Sequence, residues 1–304
     1  MIRSDNMRAA LLIVVSMAAF TINDAFMKLA SPGVPFFEQI FLRGVLITLG
    51  LTGLAWALGQ LSFRPSRRDR ALTLLRTLTE TVGTVIFLTA LFSMPIANLS
   101  AILQALPLTV TLAAAVFLGE PVGWRRLLAI LVGFIGVAII IRPGFEGFSV
   151  YSLYGVAAVC AITLRDLTAR KLSAEIPSIR VALSAAIGVT VMSAAASLIM
   201  GERWVMPDTG AALLMAGAAV CLMVGYISAV AGMRLGEVGF VAPFRYTSLL
   251  VALILGRVLF DEFPDALTLL GAGIVVATGL FTLFRERRTA TASTGIPPKG
   301  LRIR

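Results

Sequence analysis

The chain is a succession of apolar stretches about 20 residues long, each ended by a short polar loop, and that spacing restricts the fold more than any motif does. A helix rises ~1.5 Å per residue, so about 20 residues cover the ~30 Å of hydrocarbon in a bilayer. Ten such blocks can be read, near residues 8–29, 36–60, 71–93, 96–118, 125–141, 150–169, 178–200, 210–233, 238–259 and 267–284. Inside hydrocarbon the backbone must satisfy its own hydrogen bonds, which leaves helices and closed barrels. These blocks are too long and too continuously apolar for barrel strands. With 58% of residues apolar and 14% charged, and a mean hydropathy of +0.94, the composition is that of an all-α polytopic membrane protein.

Ten spans make a statement about charge, because Lys and Arg collect in cytoplasmic segments. With the N-terminus inside, the inside segments hold Arg3, Arg8, Arg64, Arg67, Arg68, Arg70, Arg125, Arg126, Arg165, Arg170, Lys171, Arg180 and Arg234, and the basic tail from Arg285 to Arg304. The outside segments hold only Lys28, Arg142 and Arg203. Both termini are therefore expected in the cytoplasm, and the net charge of +10 reflects orientation in a lipid bilayer. A nucleic-acid partner is not expected, since such a face normally comes with a soluble domain. Cys160 and Cys221 fall within spans and read as small core residues without a disulfide framework. The polar tail 286–304 reads as disordered.

Sliding the chain on itself by 142 residues brings Val82-Gly83 onto Val224-Gly225, Leu108 onto Leu250, Glu120 onto Glu262 and Leu127-Leu128 onto Leu269-Leu270. A shift of 143 near the front matches Lys28-Leu29 with Lys171-Leu172 and Asn23 with Asp166. Five spans per half is odd, so a second half built like the first enters the membrane from the opposite side. The expected domains are a first repeat over 1–145 and a second over 146–285, an inverted pair of the kind that alternates access to a central site without ATP.

The stretch "ANLSAILQALPLTVTLAAAVFLGEPVGWRRLLAILVGFIGVAII" resembles the repeat unit of the EamA branch of the drug/metabolite transporter superfamily, and "GFVAPFRYTSLLVALILGRVLFDEFPDALTLLGAGIVVATGL" looks like its second copy. The second copy reads Phe260-Asp261-Glu262 where the family often shows Leu-Gly-Glu. Within that superfamily, "SMAAFTINDAFMKLA" followed by "FFEQIFLRG" is similar to bacterial S-adenosylmethionine uptake carriers. The resemblance implies a secondary transporter of the bacterial inner membrane. Its expected solute is a small polar, zwitterionic or cationic metabolite, with export of amphipathic compounds as the alternative.

An ionisable side chain at mid-membrane costs ~2.5–3.5 kcal/mol or more, which makes each one a candidate for function. The candidates are Asp24, Arg43, Arg76, Glu80, Arg245 and Arg257, with Lys28 at an outer edge. Arg257 is close enough to its span end to reach the interface, and reads as an anchor. Glu80 and Arg245 are roughly 10–14 Å deep by helical rise. Arg76 and Glu80, four apart, share a face. They form either a structural pair or a proton-coupling group, since burial and the arginine act on the carboxyl proton in opposite directions. Asp24 and Lys28 also stack one turn apart, giving either an ion pair at a helix end or a vestibule in which Asp24 takes a cationic solute and Arg43 its carboxylate.

Pro107 and Pro243 interrupt spans four and nine, where each removes a backbone hydrogen bond; they mark either packing kinks or backbone turned to a cavity. The 142-residue shift sets Gln104 opposite Tyr246, and Asn98, Tyr226 and Tyr246 supply neutral hydrogen bonds and an aromatic wall for a substrate site. Glu120 and Glu262 are equivalent, and read as carboxylates facing helix starts or as gate residues. Gly133, Gly136, Gly271 and Gly273 read as close helix contacts. Enzyme chemistry is not expected: the chain has no His, hence no HExxH, and neither GxSxG, a Cys-rich metal cluster nor a phosphate-binding GxxxxGK[ST] loop occurs. No cofactor is expected. A channel, which would show non-saturating flux, and a structural membrane subunit are the competing classes.

Overall fold

A computed structural model describes residues 2–293 apart from 61–64, 121, 146–147, 174 and 237. All regular structure among the described residues is helical. Helices α1 (Ile2–Ala30), α2 (Phe36–Ala57) and α3 (Arg67–Ser93) are followed by a broken span, α4 (Ile96–Leu103) with α5 (Leu106–Leu118), and by α6 (Trp124–Ile141). The second set comprises α7 (Val150–Arg170), α8 (Ser178–Ile199) and α9 (Thr209–Leu235), then α10 (Val238–Val241), a 3₁₀ turn (Ala242–Tyr246) and α11 (Thr247–Phe260), and finally α12 (Ala266–Ser293). Among the described residues 10 helical segments are long and apolar enough to cross a membrane, and each falls on one of the blocks read from sequence. Helix α12 continues past the end expected near residue 284. Of the tail expected to be disordered, 294–304 lies outside the described residues.

The element boundaries repeat at 142 residues. Helices α2 and α8, and α3 and α9, both begin and end at that interval; α4 and α10 begin at it, α5 and α11 end at it, and α6 and α12 begin at it. The punctuation repeats too. Pro35 and Pro177 precede α2 and α8. Ser66 and Asp208 cap α3 and α9 by accepting from Asp69 N at 3.1 Å and Ala211 N at 2.7 Å. Gly119 and Asp261 end α5 and α11 in the left-handed region, at φ 69° and 53°, where glycine is free and aspartate tolerated. Side chains that start and stop helices thus carry the register that apolar runs match only loosely. The 143-residue register at the front is corrected by the same evidence of position: Lys28 corresponds to Arg170, and Asp24 to Asp166.

Equivalent helices pack antiparallel. Gly44 of α2 meets Thr190 of α8, while Phe37 N, nearer the start of α2, donates to Glu202 just beyond α8 at 3.0 Å. Gly136 of α6 lies against Gly271 of α12, and Arg142 after α6 pairs with Asp265 before α12. Two copies of one unit can meet this way only when inserted in opposite senses, so the repeat is inverted. The largest interface, α1 on α9, has its counterpart in α7 on α3. There Gly217, Gly225 and Gly232 of α9 receive Phe26, Phe20 and Ile13 of α1, and Ser16 Oγ donates to Gly225 O at 2.8 Å. Small residues let the backbones approach, which supplies dispersion contacts where no hydrophobic force separates helix from lipid.

Large apolar side chains such as Leu127, Leu131, Ile135, Leu198 and Ile199 face outward, as a lipid-facing surface requires. Two small-residue readings need correction. Cys160 is free but exposed rather than in the core, because it lies on the outward stripe of α7. A Cβ at Gly273 would meet nothing within 4 Å, whereas one at Gly271 would lie 2.6 Å from Gly136 O. Outside the spans, the Arg142 guanidinium holds the Asp265 carboxyl down to about 2. Gly271→Leu is expected to lower stability by about 1–3 kcal/mol through overpacking, and Gly273→Leu to leave it unchanged. Thermal unfolding in detergent checks both, and equal effects would contradict the packing described.

Candidate functional site

Five of the residues singled out in the sequence converge in the interior between α1, α2, α3, α7 and α9. Asp24 on α1 accepts from Asn23 Nδ2 at 2.9 Å, and Asn23 in turn accepts from Arg43 Nη1 of α2 at 3.2 Å. Arg43 is 7% exposed and lies within electrostatic reach of Asp24, Tyr226 and Glu80. Glu80, thirteen residues from either end of α3, is held by Arg76 at 3.5 Å and by Arg165 of α7 at 3.1 Å. Arg165 also binds Asp166 at 2.9 Å. Tyr226 of α9 sits among the same charges, near Glu80, Arg165, Arg76 and Arg43, with its ring edge-on to Phe20 at 5.4 Å.

Three carboxylates and three guanidinium groups thus run through the bundle as a neutral column, Asp24 and Arg43 towards one face, Glu80 in the middle, Arg165 and Asp166 towards the other. Mutual neutralisation is what makes these charges tolerable in a membrane. Their hydrogen-bonding capacity is nonetheless not used up. Arg43 Nε, Arg76 Nε and Nη1, Glu80 Oε2 and Gln39 Oε1 are buried without a hydrogen-bond partner. A buried polar atom left unmatched costs about 1–3 kcal/mol. Donors and acceptors so placed suit a guest bearing both a carboxylate and a cationic or hydrogen-bonding group.

The remaining candidates belong to the broken spans. The breaks at Gln104–Ala105 and at Ala242–Tyr246 meet at one equivalent position, Gln104 with Tyr246, and Pro107 and Pro243 themselves are not equivalent. Gln104 Nε2 donates to Ser248 Oγ of α11 at 3.0 Å, joining the two discontinuities across the halves. Asn98 of α4 has a buried Oδ1 without a partner. Tyr246 is 7% exposed, with its likewise unpartnered hydroxyl against Gly279 of α12. Arg245 is exposed.

Several partnerships differ from the sequence reading. Lys28 does not pair with Asp24. Its ammonium binds Glu262 of the other half at 2.9 Å over the ring of Phe260, and donates to Met94 O of its own half at 2.8 Å. Glu262 also accepts from Ile96 N at the start of α4, at 3.3 Å, so both the helix-start and the cross-half roles meet in one carboxylate. The equivalent pair, Arg170 with Glu120, is longer at 3.3 Å and half-exposed. Arg257 pairs with Asp261 in the open, as an anchor would. Asn23, Gln39, Arg165 and Asp166 lie in or beside this cluster and are not among the candidates read from sequence. The positive-inside count absorbed Arg165 as a loop charge, and only the 142-residue equivalence to Asp24 points to Asp166.

Comparison with known proteins agrees with this architecture. The model of the EamA-like transporter family matches twice, over residues 7–142 and 150–284. An S-adenosylmethionine uptake transporter of Rickettsia conorii is 25% identical over 277 residues, covering 90% of this chain and 92% of its own. The pseudopaline exporter CntI of Pseudomonas aeruginosa is 27% identical over 286 residues, covering 91% and 96%, and a riboflavin transporter of Vibrio cholerae is 29% identical over 210 residues, covering 68% and 70%. A solved crystal structure superposes with a TM-score of 0.66 over 92% of this chain and 98% of its own at 18% identity, which shows a shared fold. A duplicated family match, ten apolar spans and relatives that move solutes together make this a multi-pass transporter of the bacterial inner membrane, not an enzyme, and the chain belongs to the EamA-like transporter family.

Proposed function

We propose that the protein is a secondary transporter of a small zwitterionic or cationic metabolite, of the amino-acid or S-adenosylmethionine type, working by alternating access between its inverted halves. The observation that carries this reading is the buried column of opposite charges with unmatched donors on Arg43 and Arg76 beside Asp24 and Glu80. A carboxylate on the solute meets the guanidinium groups, and its cationic centre meets Asp24. S-Adenosylmethionine carries such carboxylate and amine groups, and uptake transporters named for it are among the relatives. Riboflavin lacks the pair, which makes it the discriminating probe.

Both termini lie in the cytoplasm by the distribution of Lys and Arg. Lys28 and Glu262 then close the periplasmic side, and Arg170 and Glu120 the cytoplasmic side. Glu80 couples transport to protons. It sits at the middle of its span between two arginines, and losing its charge frees both cations for the carboxylate of the solute. Asn98, Gln104, Arg245 and Tyr246 line the substrate path at the broken spans, with Tyr226 as its aromatic wall. Pro107 and Pro243 keep those spans interrupted.

The test is uptake of radiolabelled S-adenosylmethionine into proteoliposomes, with riboflavin for comparison and with or without an imposed proton gradient. Saturable uptake accelerated by the same solute on the far side is expected; non-saturating flux would mean a channel. Asp24→Asn removes a charge-assisted hydrogen bond of about 1.5–3 kcal/mol, so its half-saturation concentration is expected to rise about 10- to 150-fold. Unchanged affinity and rate would exclude Asp24 from the site. Glu80→Gln is expected to keep solute exchange but lose stimulation by the gradient, and full gradient-driven uptake in that variant would remove the coupling role.

A further inference from the structure

The two halves share one local motif. The first carries Asn23-Asp24 followed four residues on by Lys28, the second Arg165-Asp166 followed by Arg170. Both aspartates lie one helical turn inside a basic residue that bonds the other half, Lys28 to Glu262 and Arg170 to Glu120. The bundle orients both alike. Asp166 is nine residues, or two and a half turns, from exposed Ala157, which puts it on the opposite side of α7. That side holds buried Val159 and Thr163, the latter within 2.8 Å of Thr109 on α5. Asp24 stands in the same relation to exposed Val15 and buried Thr21.

We propose, resting on the transport reading above, that Asp166 is a second binding carboxylate for the cationic group of the solute. Asp24 takes that group from the Lys28 face and Asp166 holds it on the Arg170 face. A cation already occupies this place. The guanidinium of Arg165 lies between Asp166 at 2.9 Å and Glu80 at 3.1 Å, which shows that the space between the two carboxylates accepts a planar cation. The solute's cation replaces that guanidinium, and Arg165 keeps Glu80 as its partner.

The two faces are not equal. At the position equivalent to Arg165 stands Asn23, whose amide gives Asp24 one neutral hydrogen bond at 2.9 Å. Asp24 is therefore bonded to a neutral amide, with Arg43 joined to it only through Asn23, whereas Asp166 must exchange a directly bonded arginine for the solute. On this reading the Lys28 face binds the solute more tightly than the Arg170 face, while the direction of net movement is set by the solute and proton gradients.

The test uses full-length protein reconstituted in one orientation, checked by labelling cysteines added to the loops of each face, with radiolabelled S-adenosylmethionine presented to each face in turn. Asp166→Asn is expected to raise the half-saturation concentration on the Arg170 face about tenfold or more while leaving the Lys28 face within about twofold. Asp24→Asn is expected to give the reverse pattern. Arg165→Asn, which keeps Asp166 and removes its competitor, is expected to lower half-saturation on the Arg170 face, and it decides the matter should Asp166→Asn not fold. An Asp166→Asn protein of unchanged melting temperature that affects both faces equally, or neither, overturns the second carboxylate and leaves the transport reading intact. An Arg165→Asn protein with unchanged or weaker binding on the Arg170 face overturns it too. A wild-type protein that does not carry the probe from either face overturns both.

Discussion

An ionised side chain is stable in the middle of a membrane only when another protein group answers its charge, and the interior of this transporter is organised around that requirement. Asp24, Arg43, Arg76, Glu80, Arg165 and Asp166 come from four helices; the last four are paired directly, and Asn23 links Asp24 to Arg43. The helices that carry them are held close by contacts that need no charge: glycines of α9 under the phenylalanines of α1, and Gly136 against Gly271. Packing sets the spacing and charge pairing sets the rotation. On the proposed reading, a solute that carries both signs enters such a column by exchanging partners without ever leaving a bare charge.

Inversion gives this column two ends that are chemically related but unequal. At the Lys28 end the ammonium is buried beneath Phe260 and tied to Glu262 and Met94, and the same face carries the Arg142–Asp265 pair and the carboxylate of Glu202 on the backbone of Phe37 and Glu38. At the Arg170 end the equivalent pair is half-exposed. Exposed ion pairs are worth little and partly buried, multiply bonded ones more. The interior is therefore tied more firmly at the Lys28 end than at the Arg170 end.

Much of the fold was legible in the sequence because hydrocarbon thickness sets block length, and the ten spans follow from it. The inverted repeat was legible as an odd span count, and its register sharpened once Pro35 with Pro177, Ser66 with Asp208 and Gly119 with Asp261 were seen to punctuate equivalent helices. The site was legible only in part. Charge at depth pointed to Asp24, Arg43, Arg76 and Glu80, but helical spacing reports which residues share a face, not what stands opposite. Lys28 lay one turn from Asp24 in the chain and found Glu262 instead, 234 residues away. Arg165 looked like a loop charge because the same residue type serves both topology and pairing.

The central claim is that the two gateways open in alternation. It is tested most directly by electron–electron distance measurements on two doubly spin-labelled proteins in lipid, one labelled at positions 31 and 263 and the other at 123 and 171. Saturating solute is predicted to lengthen one of these distances while shortening the other. Distances that stay fixed, or that lengthen together, would contradict alternating access and point to a pore.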